Sequence, residues 1–161
     1  MKIRRGRPED AEQLLDIYRP VVLDTVISFE DTPPEVDEFR VRMNKCLDSH
    51  AWLVAEVDGR LGGYAYATGF RARPAYRYSV ETTIYLDKNH RNMGIGRRLY
   101  EALFEELSQS GFSQAFAGIA LPNDASIALH RSVGFEHVGT LKSVGFKFDK
   151  WHDVSWWQRA V

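Results

Sequence analysis

Arg91-Asn92-Met93-Gly94-Ile95-Gly96-Arg97-Arg98 is the stretch whose reading decides the fold. Before it, Tyr78–Leu86 alternates: Val80, Thr82, Ile84 and Leu86 fall on one face, Glu81, Thr83 and Tyr85 on the other, as in a strand. After it, Ile95, Leu99, Ala102, Leu103 and Leu107 recur at helical spacing to about Gln109. Glycines between a strand and a helix let backbone N–H groups approach an anion, and the helix start adds partial positive charge. Arginines 91, 97 and 98 strengthen that charge, although a glycine turn with solvated arginines has the same composition. The loop lacks the Gly-Lys-Ser/Thr of a Walker A motif and the Gly-x-Gly-x-x-Gly of dinucleotide folds.

Working outward, residues 2–5 read as a strand, and Pro8-Glu9-Asp10 starts a helix with an apolar stripe of Leu14, Leu15, Ile17, Tyr18 and Val22. Pro33-Pro34 opens a second helix carrying Val36, Phe39, Met43 and Leu47. Trp52–Val57 and Arg60–Phe70 flank Asp58-Gly59, a hairpin signal. Gln114–Leu121 reads as a strand, Asp124–Ser132 as a short helix, and Phe135–Val161 as two strands with a wide connection. The order βααβββαβαββ predicts an α/β fold: a mixed, mostly antiparallel central sheet with helices on both faces.

Composition narrows the function. The chain has 161 residues, which suits one domain, and its 44% hydrophobic content excludes disorder. A net charge of −1 gives no global field for nucleic acid or anionic membrane, and the short basic run Arg71–Arg77 is not enough to suggest one. One cysteine, Cys46, cannot make an internal disulfide, and it falls on the apolar face of the second helix. No two of the five histidines are spaced i, i+3 or i, i+4, so no metal site is expected. Met1-Lys2-Ile3-Arg4-Arg5 resembles a leader start, but residues 8–16 supply no apolar core, and no run of 18 apolar residues occurs. A soluble, cytoplasmic protein is expected.

Two further features join the glycine loop. Leu121-Pro122-Asn123-Asp124 follows a strand, and His130 to Phe135 closes the next helix with Gly134-Phe135. Over residues 78–135 this combination resembles the GNAT acetyltransferase superfamily. More narrowly, Thr25–Phe29, Phe70–Tyr76, Val80–Tyr85, Gly139–Leu141, Gly145–Lys147 and Trp151–Val154 resemble the phosphinothricin and methionine sulfoximine/sulfone acetyltransferases. The resemblance implies acetyl-CoA as co-substrate, with its pantetheine arm on the backbone of Ile84, Tyr85 and Leu86. Its pyrophosphate would lie on Asn92, Met93, Gly94, Ile95, Gly96 and Arg97, and Asn123 would touch the arm. It also implies a small amino-acid acceptor, acetylated on its α-amine, and a homodimer.

An ammonium has no free lone pair, so a base must take its proton before the amine can attack. The Val80-Glu81-Thr82-Thr83 context matches the family's catalytic glutamate and makes Glu81 that base; spacing alone also fits a solvated glutamate. His130 stands where many GNAT enzymes carry a tyrosine that protonates the departing thiolate. It could serve as that acid, contact substrate, or simply be hydrogen-bonded between helix and sheet. Arg73 and Tyr76 are expected to hold the substrate carboxylate, with Phe29 as an apolar wall and Ser79, Val80 and Thr83 around the base. Tyr78-Ser79 departs from the Trp-Thr of the phosphinothricin enzymes, which bears on specificity. The rival functions are acetylation of a protein N-terminus or lysine, and CoA binding without turnover.

Overall fold

The computed structural model describes residues 1–161. Its strands are β1 (Lys2–Arg5), β2 (Trp52–Val57), β3 (Arg60–Gly69), β4 (Ser79–Leu86), β5 (Gln114–Ala120), β6 (Glu136–Lys147) and β7 (Lys150–Ala160). The helices are α1 (Ala11–Asp24), α2 (Val36–Ser49), α3 (Ile95–Gln109) and α4 (Asp124–Ser132), in the predicted order. The strands form one sheet ordered β1-β2-β3-β4-β5-β7-β6, antiparallel throughout except for the parallel pair β4/β5.

Strand alternation divides the core between the two faces. Toward α1 and α2 point Trp52, Val54 and Tyr64, which meet the buried stripe Leu14, Leu15, Tyr18, Phe39 and Met43. Toward α3 point Leu53, Ala55, Ala65, Ala67 and Val80, covered by Leu99, Leu103 and Leu107. Cys46 is buried on the α2 face and its thiol reaches the Ala67 carbonyl at 3.0 Å, a core position as its spacing suggested.

The chain ends differently from expectation in its last connection. The connection between the last two strands is tight, because Phe148 and Asp149 both adopt positive φ (54° and 57°) and turn the chain directly. The final strand then inserts between β5 and β6, leaving β6 as the sheet edge. Trp157 of this strand is buried, whereas Trp151 is on the outside beside the exposed Phe146.

The start of the chain is fastened by a buried ion pair. The Arg4 guanidinium binds both Asp10 carboxylate oxygens, at 2.7 and 2.9 Å, and the Arg7 N–H donates to Asp10 as well, at 2.8 Å. Burial pushes the Asp10 carboxyl up, but the Arg4 and Arg7 donors outweigh it and hold it below the usual carboxylate range. Asp10→Asn is expected to cost about 2 kcal/mol, read by urea denaturation, because it removes the charge-assisted bonds to Asp10 and leaves Arg4 with Glu56, at 3.0 Å, as its charged partner. A depressed carboxylate stabilises the fold above its unfolded value of ~3.9, and that contribution is lost as pH falls through the lower folded value.

Candidate active site

The site begins where the sheet fails to close. β4 and β5 pair only over Ser79–Glu81 with Gln114–Phe116, while β4 stays on β3 as far as Leu86 and β5 stays on β7 as far as Ala120. Each strand follows its outer partner, so the inner edges separate and the β5-facing edge of Thr82–Leu86 has no ladder partner. A cavity of about 200 Å3 fills the gap. It is lined by Glu81–Tyr85, by Gly118–Ala120, by Tyr100 and His130 from the α3/α4 side, and by Ile27–Phe29 from the α1/α2 side. The opening therefore passes through the sheet.

Alternation places Glu81 on the α1/α2 face, across from Thr68 of β3. Burial raises its carboxyl above the usual range, with no charged or hydrogen-bonding neighbour contributing. A half-buried carboxylate with a raised pKa is a stronger base than a solvated one. Thr83 and Phe29 line the same cavity. A second cavity of about 420 Å3 lies between α2 and the aromatic face of β2–β3, with Trp52 stacked on Tyr64 and Tyr66 and with Arg42 and Lys45 among its lining residues; it shares Tyr85 with the first.

On the other face His130 is buried between α4 and α3. Its Nδ1 lies 2.7 Å from the Ser126 carbonyl, which can only accept, so Nδ1 carries the proton. Its Nε2, 2.8 Å from the Tyr100 hydroxyl, then accepts from Tyr100. Burial lowers the ring's pKa, opposed by the smaller pull of the Ser126 carbonyl, so the imidazole is neutral at pH 7. Of the three expectations for His130, this geometry is the hydrogen-bonded helix contact: both ring nitrogens are engaged, and the ring holds no spare proton. Tyr100 was not singled out from sequence, because its place beside Leu99 and Leu103 reads as core.

The loop before α3 has the features of an anion cradle. Asp87 ties it down by accepting from the Asn89 N–H at 2.9 Å, and Asn92 and Gly94 both take positive φ (60° and 74°). No side chain caps α3, so the N–H groups of its first turn are left for a ligand. A Cβ on Gly94 would meet nothing within 4 Å, so the space above this turn is open to an approaching phosphate. Gly96 is different: a Cβ there would lie 2.9 Å from Leu129, so this glycine allows α3 to pack on α4 and offers an anion only its N–H. Met93 is exposed, Ile95 is buried, and the Arg97 guanidinium pairs with Glu101 at 2.8 Å. Asn123 caps α4, its Oδ1 accepting from the Ser126 N–H at 3.1 Å, and lines the cavity.

Four residues expected to contact the substrate fall outside the lining of the Glu81 cavity. Val80 is fully buried on the α3 face, because it alternates with Glu81 and cannot share that residue's cavity. Ser79 lies in the closed, paired part of β4, ahead of the gap. Arg73 and Tyr76 belong to the 3-10 turn region at Pro74–Tyr76 and line a separate crevice with Arg71 and Ala72. Phe70, stacked on Phe116 with centroids 4.1 Å apart, anchors that connection over β5, where Phe116 is the register partner of Glu81. Leu86 packs against the core with its side chain, so only its backbone edge is available to a ligand.

Comparison with known proteins agrees with this geometry. Residues 3–156 match the acetyltransferase (GNAT) domain family. The chain is 38% identical over 174 residues to a phosphinothricin N-acetyltransferase of Streptomyces coelicolor, covering 100% of this chain and 96% of that protein. It is 33% identical over 162 residues to an L-methionine sulfoximine/L-methionine sulfone acetyltransferase of Salmonella typhimurium, covering 98% and 93%. The structure resembles a phosphinothricin acetyltransferase of Sinorhizobium meliloti in complex with AcCoA, with a TM-score of 0.95 and 38% identity over 99% of this chain and 88% of that one. It equally resembles a ribosomal-protein-alanine N-acetyltransferase of Brucella melitensis, with a TM-score of 0.94 and 38% identity over 100% of both chains. A gapped β4/β5 pair, an uncapped helix behind a glycine turn and these matches lead to one conclusion: the chain belongs to the GNAT family and is an acetyl-CoA-dependent N-acetyltransferase.

Proposed function

We propose that the protein acetylates the α-amino group of a small amino acid of the phosphinothricin, methionine sulfoximine or methionine sulfone type, by direct transfer in a ternary complex. The observation that carries this reading is the small size of the space around Glu81. A cavity of about 200 Å3 with Phe29 across it suits a thioester end and a compact amine, whereas a peptide substrate needs an open groove.

Acetyl-CoA supplies the activated acetyl thioester, and its carrier fits the residues present. The uncapped α3 turn with Gly94 would hold the pyrophosphate, and the unpaired edge of Thr82–Leu86 would take the pantetheine amides as a missing strand. The amine enters from the α1/α2 face, where Glu81 accepts its proton directly or through a water and frees the lone pair. Backbone N–H groups at the gap can receive the negative charge that develops on the carbonyl oxygen. On the α3/α4 face Tyr100, hydrogen-bonded to His130, lines the cavity and would supply the proton that the departing sulfur takes up. Holding the amine and thioester in line contributes much of the rate.

No helix is long and apolar enough to cross a membrane. The edge strand β6 and the hairpin after it expose Val138, Leu141, Val144, Phe146, Phe148 and Trp151, an apolar strip that supports a homodimer through this edge.

A protein N-terminal amine is the second reading, favoured by the ribosomal-protein-alanine acetyltransferase likeness. Release of CoA thiol with L-phosphinothricin, L-methionine sulfoximine and an alanine-initiated peptide separates the two. The amino acids are expected to turn over at least tenfold faster in kcat/KM than the peptide. The reverse order would establish the peptide reading, and thiol release on none of them would leave a CoA-binding module.

A further inference from the structure

The hairpin that ends the chain reaches back to its first helix. Lys147, the last residue of β6, is only 3% exposed. Its ammonium donates to three carbonyls, those of Val22 at 2.6 Å, Thr25 at 2.8 Å and Ser28 at 2.7 Å. All three N–H bonds of one ammonium are thus spent on the end of α1 and the irregular segment after it. The last turn of α1 carries no basic residue of its own, so a cation from far along the chain fills that place at the helix's negative end.

Phe29 follows that segment directly. Its ring lies against Gly145, where a Cβ would overlap the ring atoms, so glycine is needed there for the ring to sit where it does. His152 donates from Nε2 to the Lys147 carbonyl at 2.9 Å, and its ring is 6.2 Å from that of Phe29. The wall of the Glu81 cavity is therefore built by residues 22–29 and fixed in place by a hairpin more than 110 residues away in sequence.

We propose that Lys147 is a positioning residue for the acceptor: by clasping the carbonyls of Val22, Thr25 and Ser28 it holds Phe29 over Gly145 as the wall of the Glu81 cavity. The proposal rests on the reading of that cavity as the acceptor site. Lys147 touches no reacting atom and acts through Phe29. Without the ammonium, three carbonyls lose their donor, the segment leaves the hairpin, and the acceptor loses its wall while the acetyl-CoA side, on the opposite face, is untouched.

The test is a double-mutant cycle of Lys147→Met and Phe29→Ala, with L-phosphinothricin and L-methionine sulfoximine as acceptors and hydrogen exchange followed over residues 23–30. Lys147→Met is expected to raise the acceptor KM about tenfold or more, since one displaced wall loosens the alignment of the amine. The acetyl-CoA KM should stay within about twofold, and exchange over residues 23–30 should quicken. On the Phe29→Ala background the same substitution should change the acceptor KM by less than about twofold, because both act through one ring. Lys147→Gln, which keeps two N–H donors, is measured alongside and should shift the acceptor KM in the same direction by less; it stands in if the methionine variant does not fold. An unchanged acceptor KM, a parallel rise in acetyl-CoA KM, or the full effect reappearing on Phe29→Ala would overturn the proposal. Full activity in Glu81→Gln would instead overturn the acceptor-site reading, and the proposal with it.

Discussion

Glu81→Gln is expected to lower kcat/KM for an amino-acid acceptor by about 10²- to 10⁴-fold at neutral pH, the usual worth of a positioned general base. Glutamine keeps the shape and cannot take a proton, so acetyl-CoA affinity should be unchanged, which binding calorimetry checks. The pH profile gives an independent sign. Burial raises the Glu81 carboxyl, and a base works only when ionised, so the wild-type rate should fall as pH drops through a value above the ordinary ~4.3 of glutamate. In the variant that limb should vanish, and the rate should instead climb with pH as the amine itself deprotonates. A variant with wild-type kcat/KM would remove Glu81 from the chemistry.

The second large effect concerns the cradle. Gly94→Val is expected to weaken acetyl-CoA binding by about 10- to 100-fold, equivalent to the loss of one charge-assisted hydrogen bond at ~1.5–3 kcal/mol. Gly94 holds φ at 74°, a region costing a β-branched residue about 1–2 kcal/mol, so the turn rotates and its N–H groups swing off the phosphate. The Cβ itself would meet no protein atom within 4 Å, so the variant should fold with a small loss of Tm. Titration of folded Gly94→Val with acetyl-CoA checks this, and an unchanged Kd would place the pyrophosphate elsewhere.

These effects concern residues that were legible in sequence, and the reason is local. Strand alternation is enough to put Glu81 and Val80 on opposite faces, and the full burial of Val80 follows from it. Gly94 announces itself by standing between an alternating strand and a periodic helix. Arg73 and Tyr76 had the right chemistry for a carboxylate, but their connection is placed by the stacking of Phe70 on Phe116, a contact no local pattern encodes. The same applies to His130, whose role depends on a hydroxyl 30 residues away, and to Lys147, whose carbonyl partners lie 119 to 125 residues earlier. The placing of β7 between β5 and β6 is also a long-range outcome, since the tight Phe148-Asp149 turn contains no glycine to signal it.

The parted strands have a consequence for traffic. A sheet with an opening through it has two doorways, one on the α3/α4 side and one on the α1/α2 side, and the reacting groups meet in the passage between them. With the carrier and the acceptor bound as proposed, CoA would back out through the first while the acetylated amine left through the second, and neither would stand in the other's exit.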